Sequence, residues 1–281
     1  MVVTLNDVLK DAQKNQYAVG LFNTVNLEMA KGVLDAAEET KSPVIIGTAE
    51  VLLPYAGLEE LAYFLVPLAQ KAKVPVVLHF DHGLTPELVI KAMALGFSSV
   101  MYDCSTYSFQ DNTARLKEMA KIAKAFGASI EAELGQVGAV DCNAAESDGY
   151  ESLYTDPDQA KEFVDSTRVD ALAVAIGTAH GAYMQQPKLD IARLKVIAGA
   201  INTPLVLHGG SGLSDEDFRN CIQNGISKIN IFTDINIAAA KGAVNCYQDG
   251  SGMTDLMGSI VDNVKEATMA KMRLFGSVNK G

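Results

Sequence analysis

An α/β chain closed as a (β/α)8 (TIM) barrel is the fold this sequence predicts, on three observations. Short runs rich in Val and Ile alternate with helical stretches between Tyr17 and Val244; eight such pairs can be counted; and no G-x-G-x-x-G follows the first run. Short, continuously apolar strands are those buried on both faces of a parallel sheet, and their alternation with helices indicates βαβ units. Eight units within 281 residues suit a closed barrel better than an open doubly wound sheet, whose dinucleotide fingerprint is missing.

Taken in order, the first strand is read over Tyr17–Phe22, with helical spacing over Leu27–Thr40 behind it. Pro43–Thr48 and Leu58–Lys71 form the second pair. Val74–Phe80 is the third strand, followed by a helix over Pro86–Ala94 with Thr85 as N-cap and Pro86 at the first helical position. Ser99–Tyr102 precedes a helix over Phe109–Phe126, and Ser129–Leu134 is the fifth strand. After a long polar loop come a helix over Pro157–Ser166, a strand over Ala171–Ile176 and a helix over Ile191–Ala200. Pro204–Leu207 with Asp215–Gln223, then Lys228–Phe232 with Ile235–Val244, complete the eight pairs, and Thr254–Leu274 is an extra C-terminal helix. With no linker or composition shift, residues 1–281 read as one barrel domain.

A net charge of −11 argues against a nucleic-acid or anionic-lipid surface, while leaving room for a small phosphorylated ligand held by backbone N–H groups. No run approaches the length of a membrane helix, and no basic segment followed by an apolar run opens the chain. Cys104, Cys142, Cys221 and Cys246 lie far apart and read as reduced thiols of a cytoplasmic protein.

A barrel carries its chemistry at the C-terminal ends of its strands. The four histidines fall there: His79 and His82 at the end of strand three, His180 after strand six, His208 at the end of strand seven. Three imidazoles converging with one coordination position open is how a catalytic zinc is held. The acids follow suit. Asp81 adjoins His82, Asp103 ends strand four, and Glu131 and Glu133 share one face of strand five, Glu133 being nearer the site. Strand seven runs into His208-Gly209-Gly210-Ser211-Gly212, and Thr233 follows strand eight, where a barrel of this kind binds phosphate. The loop Gly135–Asp156 has the length of a lid or binding segment.

The strings His79-Phe80-Asp81-His82, Glu131-Ala132-Glu133-Leu134-Gly135, Ala175-Ile176-Gly177-Thr178-Ala179-His180-Gly181, Leu207-His208-Gly209-Gly210-Ser211-Gly212 and Lys228-Ile229-Asn230-Ile231 resemble the class II, zinc-dependent ketose-bisphosphate aldolases, in their tagatose/fructose branch. The resemblance spans nearly the whole chain. It implies a homodimeric or homotetrameric barrel that reversibly cleaves a ketose phosphate to dihydroxyacetone phosphate and an aldehyde. Carried over, His82, His180 and His208 match the Zn2+ ligands, and Asp81 matches the acid that protonates the aldehyde oxygen. Asp103 and Glu133 match acidic positions near the metal. Gly181, Gly209, Gly210, Ser211, Asn230, Ile231, Phe232 and Thr233 match the segments that hold dihydroxyacetone phosphate, and a monovalent cation, Na+ or K+, is implied beside that phosphate. The aldehyde end is expected against Asn23, Thr48 and the turn Ala49–Ala56, where no arginine cluster marks a distal phosphate.

Two departures stand out. The family's Asp-His-His reads Asp81-His82-Gly83, and the loop glutamate that abstracts the proton, eight residues beyond Glu133, is Asp141 here, with Glu146 as the substitute. A lysine Schiff base, the other aldolase chemistry, is disfavoured because strand six ends without a lysine and Lys228, read as the start of its strand, is expected on the wrong face of the barrel. A ketose 1-phosphate with an unphosphorylated tail, a phosphosugar isomerase or epimerase sharing the enediolate, and a non-catalytic phosphosugar-binding protein are the competing readings.

Overall fold

In the computed structural model, which describes residues 1–139, 153–181 and 187–281, eight parallel strands close into a barrel. They are β2 (Val19–Asn23), β3 (Val44–Ala49), β4 (Val76–Gly83), β5 (Ser99–Tyr102), β6 (Ser129–Leu134), β8 (Ala171–Val174), β10 (Leu205–Leu207) and β11 (Ile226–Ile231), in that order around the ring. β11 returns onto β2, pairing Lys228 with Val19 and Ile231 with Phe22. The helices predicted over Leu27–Thr40 (α2), Leu58–Lys71 (α3), Pro86–Ala94 (α4), Phe109–Phe126 (α5), Ile191–Ala200 (α7) and Asp215–Gln223 (α8) form with those bounds. Their starts are legible because Asn26, Thr85, Ser108, Asp190 and Ser214 each cap a helix by accepting a backbone N–H. α6 (Pro157–Thr167), α9 (Thr233–Cys246) and α10 (Met253–Phe275) complete the outer layer, α10 packing on α2 and α9.

Alternation along each strand divides the apolar residues in two. Phe22, Ile46, Leu78, Phe80, Val100, Leu172 and Ile229 face outward into the core shared with the helices. Val19, Leu21, Ile45, Val77, Ala171, Ala173 and Val206 fill the barrel interior at its N-terminal end. That floor is closed by two elements the sequence reading did not assign, β1 (Val2–Val3) and α1 (Leu5–Asn15). β1 pairs with the first residues of β4, ahead of the point where β5 joins at His79. α1 inserts Leu5, Val8, Leu9 and Ala12 into the floor, and its Leu5 N–H donates to Ser129 Oγ at 3.0 Å. At the other end a short ribbon, β7 (Gly138–Ala139) paired with β9 (Ala179–His180), spans the loops after β6 and β8. Among the described residues no helix is long and apolar enough to cross a membrane. Cys104 and Cys221 are buried, and burial raises both thiol pKa values.

Candidate metal centre and substrate pocket

Above the apolar floor the barrel interior turns polar. His79, Ser99, Asp81, Glu131, Glu133, Lys228 and Asn230 are all buried there. The lowest contacts of this layer are made by Lys228, whose Nζ lies 2.8 Å from Glu131 Oε2 and donates to Asn230 Oδ1 at 2.7 Å. This corrects the expected placement of Lys228. β11 begins at Ile226, so Lys228 shares the inward parity of Asn230 and lies inside the barrel. It is ion-paired beneath the pocket rather than lining it, which keeps a Schiff-base role out of reach.

Three imidazoles converge on top of this layer. β4 delivers the first by an irregularity in the ladder: its register with β5 slips between Phe80 and Gly83, and His82 takes a left-handed φ of +45°. A regular strand would aim Asp81 and His82 to opposite faces; the bulge lets both reach the barrel mouth. A left-handed non-glycine residue costs about 1–3 kcal/mol, the kind of strain that concentrates at functional sites. Gly83 is part of the same device, because a Cβ there would stand 2.5 Å from Val89 Cγ2 and 2.8 Å from Met101 O. His208 follows β10 with the inward parity of Val206, and His180 is carried by the β7–β9 ribbon. The His82 ring centroid lies 4.9 Å from that of His180 and 4.6 Å from that of His208.

One nitrogen of two of these rings is fixed by a carboxylate. His82 Nδ1 is 2.8 Å from Asp103 Oδ2, and Asp103 Oδ1 in turn accepts from Ser105 N and Oγ. His208 Nε2 is 2.9 Å from Glu131 Oε1, which Lys228 anchors. The opposite atoms, His82 Nε2 and His208 Nδ1, are buried without a hydrogen-bond partner, as is Glu133 Oε2. Glu133 Oε1 is held by the Val137 N–H, and its free Oε2 lies 3.0 Å from His208 Nδ1 outside hydrogen-bond geometry. Orphaned buried nitrogens and a carboxylate oxygen facing one point, with donors of His82, His180 and His208 all within 4.8 Å of one another, fit a cation. Carboxylates fixing the far side of the ligand rings are the usual outer support of such a site. Four carboxylates, Asp81, Asp103, Glu131 and Glu133, gather around these imidazoles, a negative setting that suits a cation.

Burial alone would lower the pKa of His208; the facing Glu131 and Glu133 outweigh it and raise it to about 10. His82 is raised despite burial by the Asp81 charge and the Asp103 hydrogen bond. His180, although the residue as a whole is exposed, is lowered to about 4 by desolvation of its ring and by the other two imidazoles. Burial would raise the pKa of Asp81, but His82, His79 and Lys228 hold it well below the ordinary range, so Asp81 is ionised. Its carboxylate accepts from Asn23 Nδ2 at 2.8 Å and from Asn230 Nδ2 at 3.1 Å, two amides that fix its orientation.

A pocket of about 380 Å³ opens over this cluster, lined by Asn23, Asp81, His82, Asp103, His180, Gly181, Gly209, Gly210, Ser211 and the stretch Asn230, Ile231, Phe232, Thr233. Its glycine-rich side is tight. Gly209 has φ +64°, and a Cβ on it would stand 2.3 Å from Ala179 O. Ser211 Oγ accepts the Phe232 N–H at 3.3 Å, binding the β10 loop to the start of α9, whose first turn has no side-chain cap. Such a helix N-terminus beside a glycine loop is suited to an anion.

Of the described residues expected at the site, three stand apart from this pocket: His208, which is fully buried, Glu133 and Thr48. Glu133 lines an adjoining one with His82, Asp103 and His180. Thr48 is buried but does not line the pocket: it pairs with Phe80 and shares its outward parity, while its neighbour Ala49 faces in. Asp141 and Glu146 lie outside the described residues. Sequence reasoning under-read Glu131, which supports His208, although its shared parity with Glu133 was the available signal. Val51 and Leu52, in the turn Ala49–Ala56 expected at the aldehyde end, line the pocket's remaining wall together with Leu84, which lies outside the expected residues.

Residues 3–280 match the family model of class II fructose-bisphosphate aldolase. This chain belongs to that family. Its members are metal-dependent carbon–carbon lyases, and the chain shares that reaction class. It is 43% identical to the Escherichia coli K12 protein YdjI, over 96% of each chain. It is 38% identical to a sulfofructosephosphate aldolase of Alkalicoccus urumqiensis, over 97% of this chain and 96% of the other, and 38% identical to a fructose-bisphosphate aldolase of Thermus caldophilus over the full length of both. The crystal structure of the YdjI aldolase superposes with a TM-score of 0.88, covering 100% of this chain and 99% of that one. The aldolase family fits the metal-ready histidine cluster and the anion-ready loop, both of which its chemistry needs.

Proposed function

We propose that this chain is a zinc-dependent aldolase that reversibly cleaves a ketose phosphate to dihydroxyacetone phosphate and an aldehyde. The observation that carries the reading is the gathering of the His82, His180 and His208 donors within 4.8 Å of one another at a pocket lined by His82, His180 and the Gly209–Ser211 loop. His82, His180 and His208 would hold the ion, with Glu133 and Asp103 at hand; a nitrogen-rich set with a position open suits zinc. When bound, the metal supplies Lewis-acid stabilisation of the charge that develops as the enediolate forms.

The chain's own residues do the rest. The Gly209–Ser211 loop and the Asn230–Thr233 segment bind the phosphate of the dihydroxyacetone half and so fix the reacting carbons relative to the histidines. Asp81, ionised and held by Asn23 and Asn230, accepts the hydroxyl proton as the carbon–carbon bond breaks and returns it to the aldehyde oxygen in condensation. Asp141 is assigned as the base that exchanges the dihydroxyacetone phosphate proton, with Na+ or K+ beside the phosphate. The assembly is a homodimer or homotetramer in the cytoplasm.

The test is cleavage of fructose 1,6-bisphosphate, tagatose 1,6-bisphosphate and uncharged-tailed ketose 1-phosphates by zinc-loaded protein, read as dihydroxyacetone phosphate release. Release from at least one ketose, abolished by EDTA and restored by zinc, is expected. Isomerisation of the sugar without triose phosphate release would overturn the reading.

A further inference from the structure

The two ends of the pocket differ in kind. Around the barrel, β4 stands four strands from β10 and β3 three, so the turns after β3 and β4 face the glycine-rich loop across the pocket mouth. This far wall is made by Ala49, Val51, Leu52 and Leu84. Val51 and Leu84 are 73% and 56% exposed, large apolar side chains kept in water at the rim of a polar site. They are held there: Glu50–Leu52 forms a 3-10 turn, and Glu50 Oε2 accepts the Leu84 N–H at 2.7 Å, tying the two turns together. That bond occupies a backbone N–H that an anion would otherwise use.

Among the described residues that line the pocket there is neither Lys nor Arg. Segments 140–152 and 182–186 contain none in their sequence. Arg115 is engaged over the Tyr107 ring at 4.3 Å, and Arg193 pairs with Asp190 at 3.0 Å. A phosphate dianion or sulfonate leaving water needs charged or N–H donors, and a wall of methyl groups offers neither. A tail bearing only hydroxyl or methyl groups meets no such penalty.

We infer that the aldehyde partner of this chain carries no terminal anion, so that its ketose is phosphorylated only on the dihydroxyacetone half. This rests on the aldolase reading above and names its substrate class. Val51 and Leu84 are the specificity-determining residues, selecting the tail by its lack of charge.

The test uses full-length, zinc-loaded protein condensing dihydroxyacetone phosphate with glyceraldehyde, lactaldehyde, glyceraldehyde 3-phosphate and 3-sulfolactaldehyde, with products followed by NMR. The expected result is a kcat/KM for an uncharged aldehyde about tenfold or more above both anionic ones. Preference for either anionic aldehyde, equal use of the two classes, or failure of both uncharged aldehydes overturns the inference. Exchange of the dihydroxyacetone phosphate C3 proton in heavy water, measured on the same sample without aldehyde, separates the two levels. Exchange with the wrong selectivity refutes the tail assignment alone, whereas no exchange refutes the aldolase reading and the inference with it. Leu84→Lys and Val51→Arg place a cation in the wall and should raise the ratio of glyceraldehyde 3-phosphate to glyceraldehyde kcat/KM by about tenfold; an unchanged ratio places the tail elsewhere and overturns the inference.

Discussion

The lower and upper halves of one barrel interior are built on opposite principles. Below, Val19, Leu21, Ile45, Val77 and Val206 pack with Leu5 and Leu9 of α1 into an apolar plug. Above, β4, β6, β11 and the end of β10 present Asp81, Glu131, Glu133, Lys228 and His208, all buried. The lower half contributes stability through burial; the upper half gathers charges whose desolvation is costly and whose pairing recovers only part of that cost. The division lies along the barrel axis, so consecutive inward residues of one strand, such as Val206 and His208, belong to different functions.

The sharpest way to separate the halves is to remove a histidine. His180 is exposed and makes none of the plug contacts, so His180→Ala should lower kcat by about a thousandfold or more. Bound metal measured by elemental analysis should fall, while the melting temperature of metal-free protein stays unchanged. A next step tests whether the upper layer is a stability device. Lys228→Met strands Glu131 in the interior and should cost about 3–5 kcal/mol in denaturant unfolding. The double variant Lys228→Met with Glu131→Met should recover most of that loss yet stay impaired in turnover, because His208 has lost the carboxylate that orients it.

In the lower half the effects invert. Leu9→Ala, in the plug, should cost about 2–5 kcal/mol of stability with kcat per folded molecule unaltered; a fall in kcat would show that the halves are coupled. The smallest effect belongs outside the barrel. Asp156 caps α6 by accepting from Asp158 N and Gln159 N, and Asp156→Ala should cost about 1 kcal/mol with activity intact.

Much of this architecture was legible because its signals are local. Caps such as Thr85 with Pro86, and apolar helix faces, mark α2, α3, α4, α5, α7 and α8 to the residue, while α6, α9 and α10 extend one or two residues beyond their expected ends, and the placement of His82, His180 and His208 at strand ends points to one mouth. What was missed depends on relations that span the chain. The spacing of Leu5, Val8, Leu9 and Ala12 is that of an amphipathic helix, but its partner surface is assembled from distant strands. Lys228 was misplaced because β11 starts two residues earlier, at Ile226, so that Lys228 lies within the strand rather than at its first position, although its parity with Asn230 was readable. The bulge that turns Asp81 and His82 the same way is invisible to strict alternation, as is the outward turn of Thr48. Glu131 could be recognised as the support of His208 only once β6 and β10 were placed on either side of β8.

Whether the upper half assembles a working metal centre is tested most directly by dihydroxyacetone phosphate alone. Zinc-loaded protein in heavy water should exchange one C3 proton, followed by NMR, with EDTA stopping the exchange and added zinc restoring it. Folded, zinc-loaded protein that leaves both protons in place, or exchanges one equally well in EDTA, would contradict metal-assisted enediolate formation in this pocket.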